Sequence, residues 1–113
     1  MDKFIIEGGA PLIGEVAISG AKNAVLPIMA ATIIVPGEYR LNNVPELRDT
    51  LTMKRLLELV GATVHYEDNI MDIDTTHCDT PVAPYNLVKT MRASFYVLGP
   101  FLSRFKYAEV SLP

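Results

Sequence analysis

The chain has 113 residues, half of them hydrophobic and a fifth charged, with a net charge of −3 and a single cysteine. That composition suits one globular domain with a modest core and excludes a disordered chain. The Lys and Arg residues are scattered, without the basic stripe of a nucleic-acid module, so no nucleic-acid partner is expected; a small anionic substrate held by a few placed cations fits better. A lone cysteine forms no internal disulfide, and no signal-like apolar core follows Met1. The longest apolar stretch, residues 24–35, is too short to cross a bilayer and contains Pro27. The expected setting is cytoplasmic, with no membrane partner.

Residues 4–6, Phe-Ile-Ile, read as a strand ended by Gly8-Gly9-Ala10-Pro11. Residues 15–19 alternate polar and apolar, as a half-buried strand does. An apolar run then carries Pro27, and proline is tolerated in a helix only within about the first turn. The first helix is therefore expected to begin near Asn23 or Ala24, with Asn23 as a candidate N-cap, and to run through Ile34 until Pro36-Gly37 stops it. Residues 39–43 predict another strand. A second helix is expected over residues 49–60, capped by Asp49 or Thr50, with Gly61 as the left-handed residue past its end. Residues 63–66 and 70–73 alternate around Asp68-Asn69, a hairpin signature. A loop over residues 75–85 leads to a third helix, expected from about Asn86 to Phe105 and broken at Gly99-Pro100. Residues 106–112 predict a last strand. Helices alternating with strands give an α/β or α+β fold, with helices packed on a sheet.

Two places could hold an anion. Lys22 and Asn23 stand where a loop becomes a helix, beside open N–H groups that carry roughly half a positive charge; the plainer reading is a solvated lysine beside an N-cap. On the third helix Lys89, Arg92 and Tyr96 fall at i, i+3 and i+7 and would form one polar stripe. Guanidinium suits bidentate binding of phosphate or carboxylate, although an arginine on an apolar helix also simply snorkels to solvent. His77-Cys78-Asp79 is neither a nucleophile with its base nor a metal site. Neighbours on an extended chain point to opposite faces, a zinc ion needs three or four spaced ligands, and the other histidine is His65. No metal is expected, and no complete catalytic set appears.

At these residues the sequence resembles a known family. Ser19-Gly20-Ala21-Lys22-Asn23-Ala24 with Leu26-Pro27-Ile28, and Ala83-Pro84-Tyr85-Asn86-Leu87-Val88-Lys89-Thr90-Met91-Arg92-Ala93-Ser94 followed by Gly99-Pro100, are similar to two motifs of the bacterial UDP-N-acetylglucosamine enolpyruvyl transferases. Met1-Asp2-Lys3-Phe4 and Val110-Ser111-Leu112-Pro113 match the same family at the two ends, so the resemblance spans the chain. It implies transfer of the enolpyruvyl group of phosphoenolpyruvate to the 3′-hydroxyl of UDP-N-acetylglucosamine with release of phosphate, the first committed step of peptidoglycan synthesis, without a cofactor. It also implies a two-domain inside-out α/β barrel of repeated βαβαββ units, shared with the shikimate-pathway enolpyruvyl transferase.

By the same resemblance, residues 1–21 pack with the second domain, and residues 22–113 are the first part of one domain. Lys22 and Asn23 match the phosphoenolpyruvate-contacting pair, and Arg92 an arginine that binds the UDP-sugar. The family's general-acid cysteine follows Leu-Pro-Gly-Gly and so would lie beyond Pro113. Cys78 does not match it, leaving no catalytic residue in these 113. Tyr96 replaces a frequent Trp and keeps an aromatic face. Two functions stay open: a transferase of which this is the first portion, inactive alone, or a non-catalytic anion- or nucleotide-sugar-binding domain of the same fold. In either case a partial barrel exposes surface that favours self-association.

Overall fold

The computed structural model describes residues 2–112; Met1 and Pro113, which the resemblance uses at its two ends, lie outside them. A body of helices and strands begins at α1 (Lys22–Ala31) and continues through β1 (Glu38–Leu41), α2 (Arg48–Val60), β2 (Thr63–Glu67) and β3 (Ile70–Asp74). It closes with β4 (Val82–Ala83), α3 (Tyr85–Val88), a 3₁₀ segment (Arg92–Val97), α4 (Leu98–Phe105) and β5 (Glu109–Val110). The strands form an antiparallel sheet in the order β1-β3-β2 and a short parallel pair, β4-β5. The three helical pieces after β4 make the crossover that a parallel pair requires.

Val64, Met71 and Ile73 turn one face of the sheet inward against Leu26, Met29 and Ile33 around α1 and Met53, Leu56, Leu57 and Val60 of α2. Val97 and Phe101 from the crossover complete the core. The hairpin is the one the sequence predicts. Asp68 and Asn69 both take positive φ, 51° and 62°, as a two-residue turn of the primed type demands. Gly61 at φ 118° ends α2 as expected.

Several expectations are corrected. α1 starts at Lys22 with Ala21 as its N-cap, so Asn23 is not the cap and Pro27 lies in the second turn. Proline there costs about 3 kcal/mol, whereas burying Leu26 and Met29 returns about 1.5–3 kcal/mol each. Packing therefore outweighs the missing N–H. The long third helix does not form. α3 ends at Val88, Met91 is extended at φ −153°, and α4 accepts Pro100 in its first turn, where the absent donor would have been unpaired anyway. The final strand shrinks to Glu109–Val110, paired with a two-residue β4 inside the segment expected to be a loop.

Residues 2–19 form neither helix nor strand, and Phe4, Leu12 and Ile18 are 96%, 99% and 85% exposed. The two runs expected to be strands, residues 4–6 and 15–19, have no ladder partner in the described residues, and a strand without one is not stable. This arm explains a radius of gyration of 17.3 Å, against about 13 Å for a compact chain of this length.

Candidate functional site

The loop leading into α1 is fixed by an unusually close approach. A methyl group on Gly20 would lie 2.0 Å from the Asn43 carbonyl oxygen, so only glycine fits. The Asn43 side-chain amide in turn donates to the Ile18 carbonyl at 3.2 Å. Two residues later α1 opens with no side-chain cap and no acidic residue in its first turn. The Ala21 carbonyl accepts from Ala24 and Val25, which leaves the N–H groups of Lys22 and Asn23 aimed out of the helix start. Asn23, the second residue of α1, makes no capping hydrogen bond.

Lys22, Asn23 and Leu26 of α1 form one wall of an open depression of about 260 Å³. Arg92, Ala93 and Tyr96 of the 3₁₀ segment form another, and Asp49 of α2 lies between them. Residues of the two candidate sites read from the sequence, about seventy positions apart, therefore line one depression. The expected polar stripe does not form: Lys89 caps the end of α3 and lies over the Tyr85 ring, 5.9 Å from its centroid, while Arg92 and Tyr96 belong to the separate 3₁₀ segment.

Asp49 is the member that sequence reasoning missed. The sequence offers it only as a cap for α2, yet the N-cap is Leu47 and neither Asp49 nor Thr50 caps the first turn; the Thr50 hydroxyl reaches back, accepting the Leu47 N–H at 2.9 Å and lying 2.7 Å from the Leu47 carbonyl and 2.9 Å from that of Pro45. Asp49 instead pairs with Lys22, Oδ2 to Nζ, at 3.2 Å. No spacing within one helix could reveal this pair, because it joins two helices.

The site carries two cations, one carboxylate and an uncapped helix start, an arrangement able to hold a phosphate or carboxylate. A larger open depression of about 520 Å³ lies on the outer face of the sheet, among Glu38, Arg40, His65, Asp72 and Asp74. Its carboxylates outnumber its cation and oppose an anion, and the Arg40 guanidinium already donates to Asp72 at 2.8 Å and 3.1 Å. Cys78 is buried beside Gly61 at the end of α2, and burial pushes its thiol up from the ordinary value, against the pull of Arg104. Among the described residues no three His, Cys, Asp or Glu side chains converge as a metal site. No helix there is long and apolar enough to cross a membrane.

The chain belongs to the EPSP synthase (3-phosphoshikimate 1-carboxyvinyltransferase) family, whose profile matches residues 6–113. Within reach of that family it is 57% identical over 113 residues to the UDP-N-acetylglucosamine 1-carboxyvinyltransferase of Geotalea uraniireducens (strain Rf4), covering 100% of this chain and 27% of that protein. It is 53% identical, over the same shares, to those of Chlorobium phaeovibrioides (strain DSM 265 / 1930) and Acinetobacter baylyi (strain ATCC 33305 / BD413 / ADP1). The chain thus spans about a quarter of the length of these curated relatives (27%). Among solved structures, the enolpyruvyl transferase NikO from Streptomyces tendae matches with a TM-score of 0.76 at 28% identity, over 89% of this chain and 24% of that one. The α/β class expected from the sequence is borne out as part of an enolpyruvyl transferase fold.

Proposed function

We propose that the depression around Lys22 is part of the substrate cleft of a UDP-N-acetylglucosamine 1-carboxyvinyltransferase, and that these residues are the first portion of that enzyme. The observation that carries the reading is the convergence of Lys22, Asn23 and Arg92 on one depression. The identities of 53–57% to proteins of that name favour a nucleotide-sugar acceptor over the 3-phosphoshikimate of the family's title.

In this reading Lys22, Asn23 and the open N–H groups of α1 hold phosphoenolpyruvate, and Arg92 holds UDP-N-acetylglucosamine. A proton adds to the enol methylene carbon, and the 3′-hydroxyl oxygen, losing its own proton, bonds to the adjacent cation-like carbon to give a tetrahedral intermediate that still bears phosphate. Departure of inorganic phosphate together with loss of a proton from the new methyl group then forms the enol ether. Cations fixed at the phosphate hold it in line for attack and for departure. The general acid comes from the family's cysteine after Pro113, since Cys78 is buried and its thiol is raised. Residues 1–21 pack with a second domain, residues 22–113 begin one barrel domain, and the 113 residues alone do not turn over. Both substrates belong to cytoplasmic peptidoglycan synthesis and therefore to cell-wall growth, shape and division.

The test is phosphate release from phosphoenolpyruvate by the natural-length polypeptide that carries this chain, with either acceptor. UDP-N-acetylglucosamine should support turnover and shikimate 3-phosphate should not. Turnover with shikimate 3-phosphate alone would move the chain to the other branch of the family. Binding without turnover by either would leave a non-catalytic domain.

A further inference from the structure

We propose that Asp49 is a positioning residue of this site: its carboxylate holds the Lys22 ammonium at the mouth of the depression and sets where that cation meets the substrate phosphate. The inference rests on the reading of the site given above. Lys22 Nζ and Asp49 Oδ2 are 3.2 Å apart, and both residues line the same depression as Arg92. The Asp49 side chain is 24% exposed and that of Lys22 49%, so the carboxylate is the better-fixed member of the pair. It sits in the first turn of a thirteen-residue helix anchored by the fully buried Met53, Leu56 and Leu57. Open N–H groups there favour a negative charge.

Two further facts give Asp49 this role rather than a structural one. Asp49 makes no side-chain capping hydrogen bond at the start of α2, so its carboxylate is not taken up by the helix backbone. A negative charge 3.2 Å from the ammonium also opposes the binding of an anion there, so Asp49 does not serve affinity. What it supplies is orientation. A free lysine side chain loses up to about 2 kcal/mol of rotamer entropy when fixed, and Asp49 fixes this one before substrate arrives.

The experiment is a double-mutant cycle in the natural-length polypeptide, reading kcat and KM for phosphoenolpyruvate. Asp49→Asn should lower kcat by about tenfold to a hundredfold, the scale of a misplaced catalytic group, while KM stays level or falls because a like charge is gone. In a Lys22→Ala background the same change should alter kcat less than about twofold, since coupled residues are non-additive. Asp49→Glu keeps the charge but moves it, so it should lower kcat at the parent melting temperature; this variant decides the matter if Asp49→Asn unfolds. Unchanged kcat in Asp49→Asn, or losses that multiply with Lys22→Ala, would overturn the inference while leaving the site reading intact. Parent-level turnover in Lys22→Ala, or no turnover in the parent, would overturn the site reading and the inference together.

Discussion

Gly20 has no side chain because the Asn43 carbonyl fills the place a methyl would take. Gly20→Ala must push apart the loop before α1 and the loop after β1, a clash of the kind that costs about 1–3 kcal/mol. The urea midpoint should fall accordingly, and turnover should fall further, because Lys22 is two residues away. A midpoint equal to that of the parent would contradict the close approach. At Arg92, replacement by lysine keeps the charge and loses the planar fork. KM for UDP-N-acetylglucosamine should rise by about tenfold, the scale of one lost charge-assisted hydrogen bond, with kcat little changed; an effect on phosphoenolpyruvate alone would reassign the arginine. At this scale the sequence was informative about Lys22, Asn23 and Arg92, whose types and motifs point to anions. It was silent on Asp49, whose partner is reached only across two helices, and on the reason for Gly20, which lies in a backbone contact.

Elements were legible where local chemistry decides them. The Asp68-Asn69 turn, the Gly61 terminus and the apolar spacing of α2 all act within a few residues. Gly61→Ala would set a Cβ at φ 118° and 3.0 Å from the His77 carbonyl. A loss of about 1–2 kcal/mol follows from the left-handed conformation alone, readable as a lower urea midpoint. The crossover was misread because its outcome depends on tertiary contacts. Val88, Met91 and Val97 are each buried, and the helix expected over 86–105 with a break at Gly99-Pro100 divides instead after Val88 and at Leu98 into three pieces. Arg104 of the last piece donates to the carbonyls of Ile33 and Thr75 at 3.2 Å and 2.7 Å, pinning α4 to the far end of the α1 connection. The outer face of the sheet predicts a pH effect. The hydrogen bond from Arg40 holds the Asp72 carboxyl below the usual carboxylate range, and the Thr76 hydroxyl and N–H do the same for Asp74. A lowered folded pKa gives stability that is present above the unfolded value of about 3.9 and is lost as pH falls through the folded one. Melting temperature should therefore drop below about pH 4, and less steeply in Asp72→Asn; parallel curves would contradict the assignment.

At the scale of the molecule, an exposed apolar arm and a compact body behave as separate parts. Phe4, Ile5, Ile6, Leu12, Ile13, Val16 and Ile18 touch little of the body, so deleting residues 2–17 should leave its melting temperature within about 2 °C, the scale of changes that remove no buried contact. The same surface should make the 113-residue chain self-associate. Light scattering would show species above 12.5 kDa that shrink on deleting the arm; a clean monomer with sharp cooperative unfolding would count against it. The arm's hydrophobicity predicts two strands in it, but an apolar or alternating run shows which residues seek burial and says nothing of whether a partner is present. The meeting of Lys22 with Arg92 is implied by the resemblance, which assigns them to the two substrates of one reaction, but not by spacing, since it needs α1 to pack beside the 3₁₀ segment.

The most direct measurement is a crystal structure of the natural-length polypeptide with phosphoenolpyruvate and UDP-N-acetylglucosamine bound. Phosphate oxygens of phosphoenolpyruvate should lie within hydrogen-bond reach of Lys22 Nζ and the α1 N–H groups, with the Arg92 guanidinium on the nucleotide sugar. Phosphoenolpyruvate seated on the outer sheet face at Arg40, with the Lys22 depression empty of both substrates, would contradict it.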